Sequence, residues 1–363
     1  MKTVLFLVNH DVVIYNFRRE LVERLLEERY EVIISSPYGE RIELLKNMGC
    51  KYREIKFDRH GINPIAEFKL IKYYKELIKE IKPDMVFSYT IKPNIYGAVA
   101  CAKYNVPCVA NITGLGSAVE NSGILQKITI MMYRKAFKKV QTIFVQNEEN
   151  KQFFINNKIS AHKLRLLPGS GVNLKYFDVL DYPKDDTIEF VFISRIMKEK
   201  GIDQYLQMAT YISNKYKNTR FYICGFCEEE YEEILNEYEK RGIIKYHGLI
   251  MDIREVLANT HCTIHPTYYP EGMSNVLLES CACGRPIITT DRSGCKEIVE
   301  DGINGYMVKQ RDTQDLINAV EKFLALTNDE RKKMGQMGRE KVVNEFDRNI
   351  IIEEYMKELK KND

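Results

Sequence analysis

The stretch CTIHPTYYPEGMSNVLLESCACGRPIITTD, residues Cys262–Asp291, contains a complete structural unit. A short apolar run is followed by a polar loop, then by apolar residues at helical spacing, and then by a second apolar run. Ser274 or Asn275 provides an N-cap for the helix, and Gly284 with Pro286 ends it. The order strand, loop, helix, strand predicts two parallel strands joined by a crossover helix.

The same alternation of short apolar runs and longer amphipathic segments extends over the whole chain. Runs rich in valine, isoleucine and phenylalanine are typical of the buried strands of a parallel sheet. In the first half, we expect strands at Thr3–Val8, Glu31–Ser36, Asp84–Tyr89, Pro107–Ile112 and Thr142–Gln146. In the second half, we expect them in the run IEFVFISR and at Arg220–Gly225, Ile243–Gly248, Cys262–Pro266 and Arg285–Asp291. The pattern predicts an α/β fold of two doubly wound, Rossmann-like domains that face a central cleft.

A polar, proline-containing stretch, Asn173–Thr187, interrupts this alternation and marks the domain boundary. We therefore expect an N-terminal domain at residues 1–172 and a C-terminal domain at residues 173–345. The last segment, residues 346–363, has the composition of a helix.

Length and composition are those of a soluble globular protein with two domains, since the 363 residues are 45% hydrophobic and 29% charged. No apolar run approaches the roughly 18 residues that cross a bilayer, and the N-terminal run is too short for a signal peptide. We therefore expect a cytoplasmic protein, in which the nine cysteines are reduced core residues. Cys224 and Cys227 form a C-x-x-C pair, for which core packing is favoured over zinc or redox chemistry because no partner pair accompanies it.

Basic residues are concentrated in the first half of the chain. Residues 1–170 hold 27 Lys and Arg against 17 Asp and Glu, and the remainder holds 27 against 34, so the halves carry +10 and −7. A basic half attracts anionic lipid, nucleic acid or phosphorylated substrates, although a well-solvated surface explains it equally well. The segment Lys127–Lys139 has apolar residues at helical spacing and a basic edge, which suits either burial against the sheet or contact with a membrane interface.

Two carboxylates flank the start of the helix in the opening stretch. Glu271 is expected in the loop at the floor of the cleft, and Glu279 about one turn into the helix, facing the same ligand. The amides at the start of the helix are expected to be unpaired donors for a diphosphate, namely those of Gly272, Met273, Ser274 and Asn275. The two acids would then bind sugar hydroxyls at the two ends of that diphosphate.

The complementary cations come from the segment VFISRIMKEKG, Val191–Gly201. A strand closes at Ser194, Arg195 follows it, and Lys200 with Gly201 opens the next helix. A guanidinium offers a planar fork to phosphate oxygens and an ammonium offers a point charge, so together they neutralise a leaving diphosphate.

These motifs, SRxxxxKG at Ser194–Gly201, the glutamates of PEGMSNVLLESCACGRPII and the trailing DGINGYMV at Asp301–Val308, resemble the retaining glycosyltransferases of family four, which have the GT-B fold. The resemblance spans nearly the whole chain. It implies a metal-independent hexosyltransferase without a cofactor, whose donor is a nucleotide-sugar, by family preference a UDP-sugar. It implies that Arg195 and Lys200 bind the diphosphate, that Glu271 contacts the transferred sugar, and that Glu279 holds the ribose hydroxyls. In this fold the C-terminal helix, residues 346–363, commonly crosses back to the first domain.

Four stretches of the first half are similar to the bacterial branch that adds sugars to polyprenyl-diphosphate-linked glycans for capsule, O-antigen or glycoprotein glycans. They are Asn9–Arg18, Arg59–Pro64, Tyr89–Gly97 and Asn111–Ala118. The resemblance implies a lipid-linked acceptor, a peripheral location on the inner face of the cell membrane, and no nucleic-acid partner. The residues that we assign to the acceptor are His10, Asn16, Arg18, Lys92, Asn94, Gly114 and Gly116. Many family members have a glycine pair in the first loop, where this chain has Asn9, His10 and Asp11.

Two histidines and two glycines have alternative interpretations. His10 and His60 titrate near neutral pH and are candidates for acid–base catalysis, against a structural role as hydrogen-bond donors. Gly114 and Gly116 resemble part of a G-x-G-x-x-G motif, but Val119 stands where the third glycine is required, so no dinucleotide site is predicted. A tight turn that brings backbone close to the sugar is their expected use.

Three other functions remain open at this stage. A non-hydrolysing nucleotide-sugar epimerase shares the two-domain architecture and acts without an acceptor. A glycosidase needs two carboxyl groups about 5–10 Å apart around a sugar ring, and gives the phosphate-binding groups no role. A non-enzymatic member would bind a nucleotide-sugar and regulate a partner, which the intact set of Arg195, Lys200, Glu271 and Glu279 argues against.

Overall fold

The chain folds into two compact units in a computed structural model that describes residues 1–56, 63–116, 119, 123–184 and 186–362. Unit 1 consists of residues 1–170 together with residues 348–363, and unit 2 consists of residues 171–347. The division after Ser170 lies two residues before the predicted boundary. Residues 348–363 group with the N-terminal residues although they are the last in the chain.

Unit 1 contains, within its described residues, a seven-stranded parallel sheet in the order β3-β2-β1-β4-β5-β6-β7. The chain runs from β1 outward to β3 and then returns to the other side of β1, so the strand order reverses between β1 and β4. Such a switch point opens a crevice at the carboxyl ends of the strands. The strands are β1 Thr3–Leu7, β2 Glu31–Ser36, β3 Lys51–Glu54, β4 Met85–Tyr89, β5 Cys108–Ile112, β6 Thr142–Val145 and β7 Leu164–Leu166.

The helices of unit 1 cover both faces of this sheet. They are α1 Val12–Tyr15, α2 Arg19–Glu27, α3 Ile42–Asn47, α4 Pro64–Ile81, α5 Ala98–Tyr104, α6 Ile124–Ala136, α7 Glu148–Asn156 and, at the end of the chain, α14 Arg348–Lys360. The start of α4 follows from its sequence, because the Asn63 side chain accepts a hydrogen bond from the Ile65 amide at 3.0 Å. Lys82, in the left-handed conformation, ends the helix.

Each face of the sheet in unit 1 has its own apolar core. On one face, α4, α5 and α6 bury side chains such as Tyr74 and Tyr133. On the other face, α2 and α14 pack on the sheet, and Ile351, Tyr355 and Leu359 of α14 join this core. The C-terminal helix is therefore an integral layer of unit 1.

Unit 2 contains, within its described residues, a six-stranded parallel sheet in the order β10-β9-β8-β11-β12-β13. Its strands are β8 Ile188–Ile193, β9 Thr219–Cys224, β10 Lys245–Tyr246, β11 Cys262–His265, β12 Ile287–Thr290 and β13 Gly305–Val308. Its helices are α8 Ile202–Lys215, α9 Glu232–Lys240, α10 Arg254–Leu257, α11 Asn275–Ala282, α12 Thr313–Leu324 and α13 Asn328–Glu345. The strand order reverses between β8 and β11. The predicted α/β class with two parallel, doubly wound sheets is confirmed.

Arg285 ties the polar stretch before β8 to the rest of unit 2. Its guanidinium is fully buried and donates to the backbone carbonyls of Leu180, Asp181 and Leu257. A guanidinium has five N–H donors, and several backbone carbonyls accept from it here. A stretch that has the composition of a linker is thus held to the domain, and this buried cation makes several of the hydrogen bonds that hold it.

The sequence analysis missed three strands, β3, β7 and β13, and each lies at the edge of a sheet. Edge strands are short and partly exposed, so they lack the continuous apolar run that identifies a central strand. β3, with the sequence KYRE, has no fully buried residue.

The nine cysteines are all free thiols, and eight of them are buried. Burial raises the pKa of Cys224 to about 12, which disfavours the thiolate needed for metal binding or redox exchange. Cys227 lies against the Tyr246 hydroxyl at 3.8 Å.

Candidate donor-binding site

A pocket of about 280 Å³ lies within unit 2 at the carboxyl ends of β8, β9 and β11. Because the strand order reverses between β8 and β11, this is the position where ligands of doubly wound sheets bind. The polar residues that line the pocket are Ser194, Arg195, Lys200, His265, Glu271, Ser274 and Asn275. Its apolar wall includes Phe226, Leu249, Ile250 and Ile253.

Lys200 reaches the pocket because the chain turns sharply behind it. Gly201 has φ +80°, and a Cβ at this position would lie 2.1 Å from the carbonyl oxygen of Pro266. Only glycine permits this close approach to the end of β11. The Lys200 ammonium, nearly buried, forms an ion pair with Glu271 and lies 4.6 Å from the centre of the Tyr269 ring.

Arg195 follows β8 and also contacts the ring of Tyr269. Its guanidinium carbon lies 5.1 Å from the centre of the Tyr269 ring, and Nη1 donates to the carboxylate of Glu228. Burial disfavours the charged form, but Tyr269 and Glu228 outweigh it and raise the pKa of Arg195. Two cations therefore contact one aromatic ring, and each has a carboxylate partner.

The loop that carries Glu271 is fixed by Gly294. A Cβ at Gly294, which has φ +90°, would lie 2.8 Å from the Glu271 Cβ. The Gly294 carbonyl also accepts a hydrogen bond from the Ser274 amide at 2.8 Å. The prediction of four unpaired amides at the start of α11 is therefore wrong at Ser274, because the neighbouring loop approaches closely enough to bind it.

Helix α11 places Glu279 one turn beyond the pocket. Ser274 is the N-cap residue, in extended conformation, and the helix begins at Asn275. Asn275 lines the pocket, and Glu279 lies four residues further on the same helix face, half-buried. Met273 also lines the pocket and is buried in the adjacent core, whereas Gly272 lies in the loop that leads to it.

His265, the last residue of β11, lies at the floor of the pocket and is almost fully buried. Burial and the neighbouring charge of Lys200 lower the pKa of His265 to about 3, so its ring is neutral at physiological pH. Neither ring nitrogen makes a hydrogen bond to any residue that the structure describes.

In unit 1, the residues assigned to the acceptor near the N-terminus have protein partners. His10 Nδ1 accepts from the Val12 amide and lies 2.5 Å from Asp11 Oδ1. Asn16 Oδ1 accepts from Arg41 Nε at 3.0 Å.

Arg18 is buried between two tyrosines. Its guanidinium carbon lies 5.3 Å from the centre of the Tyr89 ring and 5.7 Å from that of the Tyr355 ring, and Nε donates to the Tyr355 hydroxyl. Since Tyr355 belongs to α14, this cation joins the start of α2 to the C-terminal helix.

The remaining acceptor assignments follow β4 and β5. Lys92 forms an ion pair with Glu67 at 2.7 Å. Asn94 is buried, accepts from Ser88 Oγ at 2.7 Å and donates to the Asn111 carbonyl at 2.8 Å.

Gly114 and Gly116 have φ +136° and +70°, values that favour glycine, as expected of a tight turn. Arg59 and His60 of one motif, and Ser117 and Ala118 of another, lie outside the described residues.

The sequence analysis missed His265, which lines the pocket, and two residues that contact Arg195 beside it, Tyr269 and Glu228. Tyr269 stands two positions before Glu271, and His265 is the next-to-last residue of the predicted strand Cys262–Pro266, so the position of each indicates the strand end. Glu228 belongs to an acidic run that looks like a solvated surface, and no sequence signal identifies it as the partner of Arg195.

Family models match both halves of the chain. Residues 3–147 match the model described as "Glycosyl transferase 4-like", and residues 180–341 match "Glycosyl transferases group 1". The chain therefore belongs to the glycosyltransferases of family four, as its motifs predicted, and it is a glycosyltransferase.

Curated relatives cover nearly all of the chain. It is 26% identical, over 97% of its length and 96% of the relative's, to N,N'-diacetylbacillosaminyl-diphospho-undecaprenol alpha-1,3-N-acetylgalactosaminyltransferase of Campylobacter jejuni. It is also 26% identical to the capsular polysaccharide biosynthesis glycosyltransferase CapM of Staphylococcus aureus, over 93% of this chain and 91% of the relative.

Solved structures agree on the fold. A glycosyltransferase from Rickettsia africae superposes with a TM-score of 0.83 at 19% identity, covering 99% of this chain and 98% of the other. Anabaena Alr3699/HepE in complex with UDP superposes with a TM-score of 0.81 at 16% identity, covering 99% of this chain and all of the other. These matches confirm the GT-B fold.

The helices and the acidic, His and Cys side chains of the described residues bear on membrane insertion and metal binding. None of the helices at these positions is long and apolar enough to cross a membrane. No group of three or more His, Cys, Asp or Glu side chains at these positions is arranged to hold a metal ion.

Proposed function

We propose that the protein is a retaining glycosyltransferase that moves a hexose or N-acetylhexosamine from a UDP-sugar to a polyprenyl-diphosphate-linked glycan. The observation that carries this proposal is the pocket of unit 2, where Arg195 and Lys200 both contact the Tyr269 ring and Lys200 pairs with Glu271. The names of the Campylobacter relative and of an Escherichia coli UDP-Gal:alpha-D-GlcNAc-diphosphoundecaprenol alpha-1,3-galactosyltransferase, 26% identical over 80% of this chain, support the acceptor class. The product would enter surface polysaccharide or glycoprotein glycan synthesis.

The donor diphosphate would bind by replacing the carboxylates that are paired with Lys200 and Arg195. Without ligand, Lys200 is neutralised by Glu271 and Arg195 by Glu228. A diphosphate between the two cations offers oxygens to both, and its negative charge is also favoured by the N-terminal end of α11. The released Glu271 carboxylate can then accept hydrogen bonds from hydroxyls of the sugar.

Transfer would rely on stabilisation of the leaving group. The bond between the anomeric carbon and the diphosphate oxygen breaks as the acceptor hydroxyl oxygen bonds to the same face of that carbon, which retains the configuration. The acceptor proton passes to the leaving diphosphate oxygen. Arg195 and Lys200 neutralise the charge that develops on the diphosphate, so we propose that neither a metal ion nor a cofactor is required.

A lipid-linked acceptor requires access to the membrane surface, and unit 1 has side chains suited to it. Exposed apolar residues lie on α4 and α6, two helices that pack on the same face of the sheet. They are Ile65, Phe68, Ile124, Leu125, Ile128 and Met131. The excess of Lys and Arg in residues 1–170 adds attraction to anionic headgroups. We therefore propose peripheral association with the inner face of the cell membrane.

A thermal-shift panel of nucleotide-sugars, followed by radiolabel transfer to lipid-linked acceptors with EDTA present, tests this proposal. We expect a UDP-sugar to raise the melting temperature and its sugar to appear on the lipid-linked acceptor with the anomeric configuration of the donor. Conversion of the nucleotide-sugar without acceptor would instead identify an epimerase. An inverted product or loss of activity in EDTA would contradict the retaining or metal-independent assignment.

A further inference from the structure

His265 is a buried polar side chain that lines the pocket of unit 2. It is 2% exposed, and neither of its ring nitrogens makes a hydrogen bond to a residue in the described part of the chain. Buried polar groups in folded proteins are nearly always hydrogen-bonded, so one that is not requires an explanation. A pocket-lining position makes a role in the liganded state the simplest explanation.

A neutral imidazole offers one N–H donor and one acceptor nitrogen. With a pKa of about 3, His265 holds this neutral form throughout the physiological range. It therefore adds no positive charge to the site, and it is unsuited to act as a base near neutral pH. What it can provide is a single directed hydrogen bond.

The charged acceptor that lies near the His265 ring is the Glu271 carboxylate. His265 Nε2 lies 3.9 Å from Oε1 of Glu271, which is too long for a hydrogen bond. The same oxygen accepts from the Lys200 ammonium. Lysine and histidine thus converge on one carboxylate oxygen, and in the ligand-free protein the lysine occupies it.

We propose that His265 is a positioning residue, which donates its Nε2 hydrogen to Glu271 when a bound diphosphate withdraws Lys200 from that carboxylate. The inference rests on the proposed function, since it requires a diphosphate ligand. The displacement needed is small, about 1 Å, to bring the two atoms within hydrogen-bond distance. The new hydrogen bond holds the Glu271 carboxylate in one orientation toward the sugar while Lys200 binds the diphosphate.

Kinetics of two variants separate this role from a packing role. His265→Leu removes the donor at similar volume, and His265→Gln retains an N–H. We expect His265→Leu to lower kcat about tenfold to a hundredfold with the donor KM little changed, and His265→Gln to recover most of the loss. His162→Leu, at an exposed histidine of unit 1, is the matched control and should leave kcat unchanged. Equal kcat values for the Leu and Gln variants, or a change in KM alone, would overturn the proposal.

Nitrogen-15 NMR of the histidine rings tests the same step without catalysis. On addition of UDP alone to the full chain, we expect the His265 Nε2 proton to take up a hydrogen-bonded shift, assigned by its loss in His265→Leu. Lys200→Ala should produce that shift without UDP, because the carboxylate is already released. If UDP binds and the proton does not respond, the role of His265 is wrong while the proposed function stands. If UDP fails to bind, the proposed function and this inference fall together.

Discussion

The pocket of unit 2 and the strand ends of unit 1 were predicted from the same kind of signal, a polar motif after a buried strand, but their side chains are engaged differently. In unit 2, Lys200 and Arg195 are paired with carboxylates at the surface of a pocket, and a phosphate can replace those partners. In unit 1, Arg18 and Asn94 are buried in hydrogen bonds within the unit. A motif residue at a strand end thus either binds a ligand or holds the fold, and its burial and its partners separate the two cases.

Among the predicted substitutions, replacement of Glu271 in the unit 2 pocket should have the largest effect on transfer. We expect Glu271→Ala to lower kcat roughly a hundredfold to a thousandfold, because the proposed function has this carboxylate contact the transferred sugar. UDP binding, measured by calorimetry, should largely survive. Glu321→Ala, at a surface partner of Lys215, is the control. Wild-type transfer rates in the Glu271 variant would show that the carboxylate has no part in the reaction.

Replacement of Lys200 should weaken both UDP binding and transfer. Loss of one charge-assisted hydrogen bond to phosphate lowers affinity roughly tenfold to a hundredfold. Calorimetry with UDP and transfer assays on Lys200→Ala measure the two effects. Lys215→Ala removes an exposed lysine of the same unit and should change neither. Unchanged UDP affinity in Lys200→Ala would place the diphosphate elsewhere.

Replacement of Arg18 tests whether this buried residue of unit 1 stabilises the fold. Arg18→Met removes a buried cation from two aromatic rings and a hydrogen bond to Tyr355, so we expect α14 to open about 2–4 kcal/mol more easily. Hydrogen exchange of the α14 amides measures this, and UDP affinity should stay unchanged. Arg24→Met, which removes an exposed ion pair with Glu353 of α14, should leave protection nearly unaffected. If Arg18→Met instead abolished acceptor binding with α14 protection intact, Arg18 would be a ligand-binding residue.

Acidification should also destabilise the packing of α14, and this is the smallest of the predicted effects. Burial opposes ionisation of Glu358, but hydrogen bonds from Gln141, Lys361 and Thr142 outweigh it and lower the pKa of this α14 carboxyl. A lowered folded-state pKa stabilises the fold above the unfolded pKa, about 4.3, and this stabilisation is lost as pH falls through the folded value. The difference in stability between wild type and Glu358→Gln should therefore be constant above about pH 5 and vanish at lower pH. A difference independent of pH down to acid unfolding would contradict this.

The central strands and the cations of the pocket could be predicted from sequence, because both depend on local patterns. β2 has the predicted bounds, Glu31–Ser36, since a strand buried between neighbours is continuously apolar. Arg195, Lys200 and Glu271 lie beyond the carboxyl ends of β8 and β11, the placement that the motif spacing predicts.

The parts that sequence did not provide depend on contacts between distant segments. The Ser274 amide is bound by Gly294, twenty residues away, and Arg195 is paired with Glu228 of an acidic run. Among the described residues, none forms a hydrogen bond with the His265 ring nitrogens, and no local sequence pattern encodes this. The burial of Arg18 depends on Tyr355, a residue near the other end of the chain.

A crystal structure of the full chain with UDP tests the central claim most directly. We predict the diphosphate within hydrogen-bond distance of both the Arg195 guanidinium and the Lys200 ammonium, with the contact between Lys200 and Glu271 broken. A nucleotide bound outside the unit 2 pocket, or bound there with the Lys200–Glu271 ion pair intact, would contradict it.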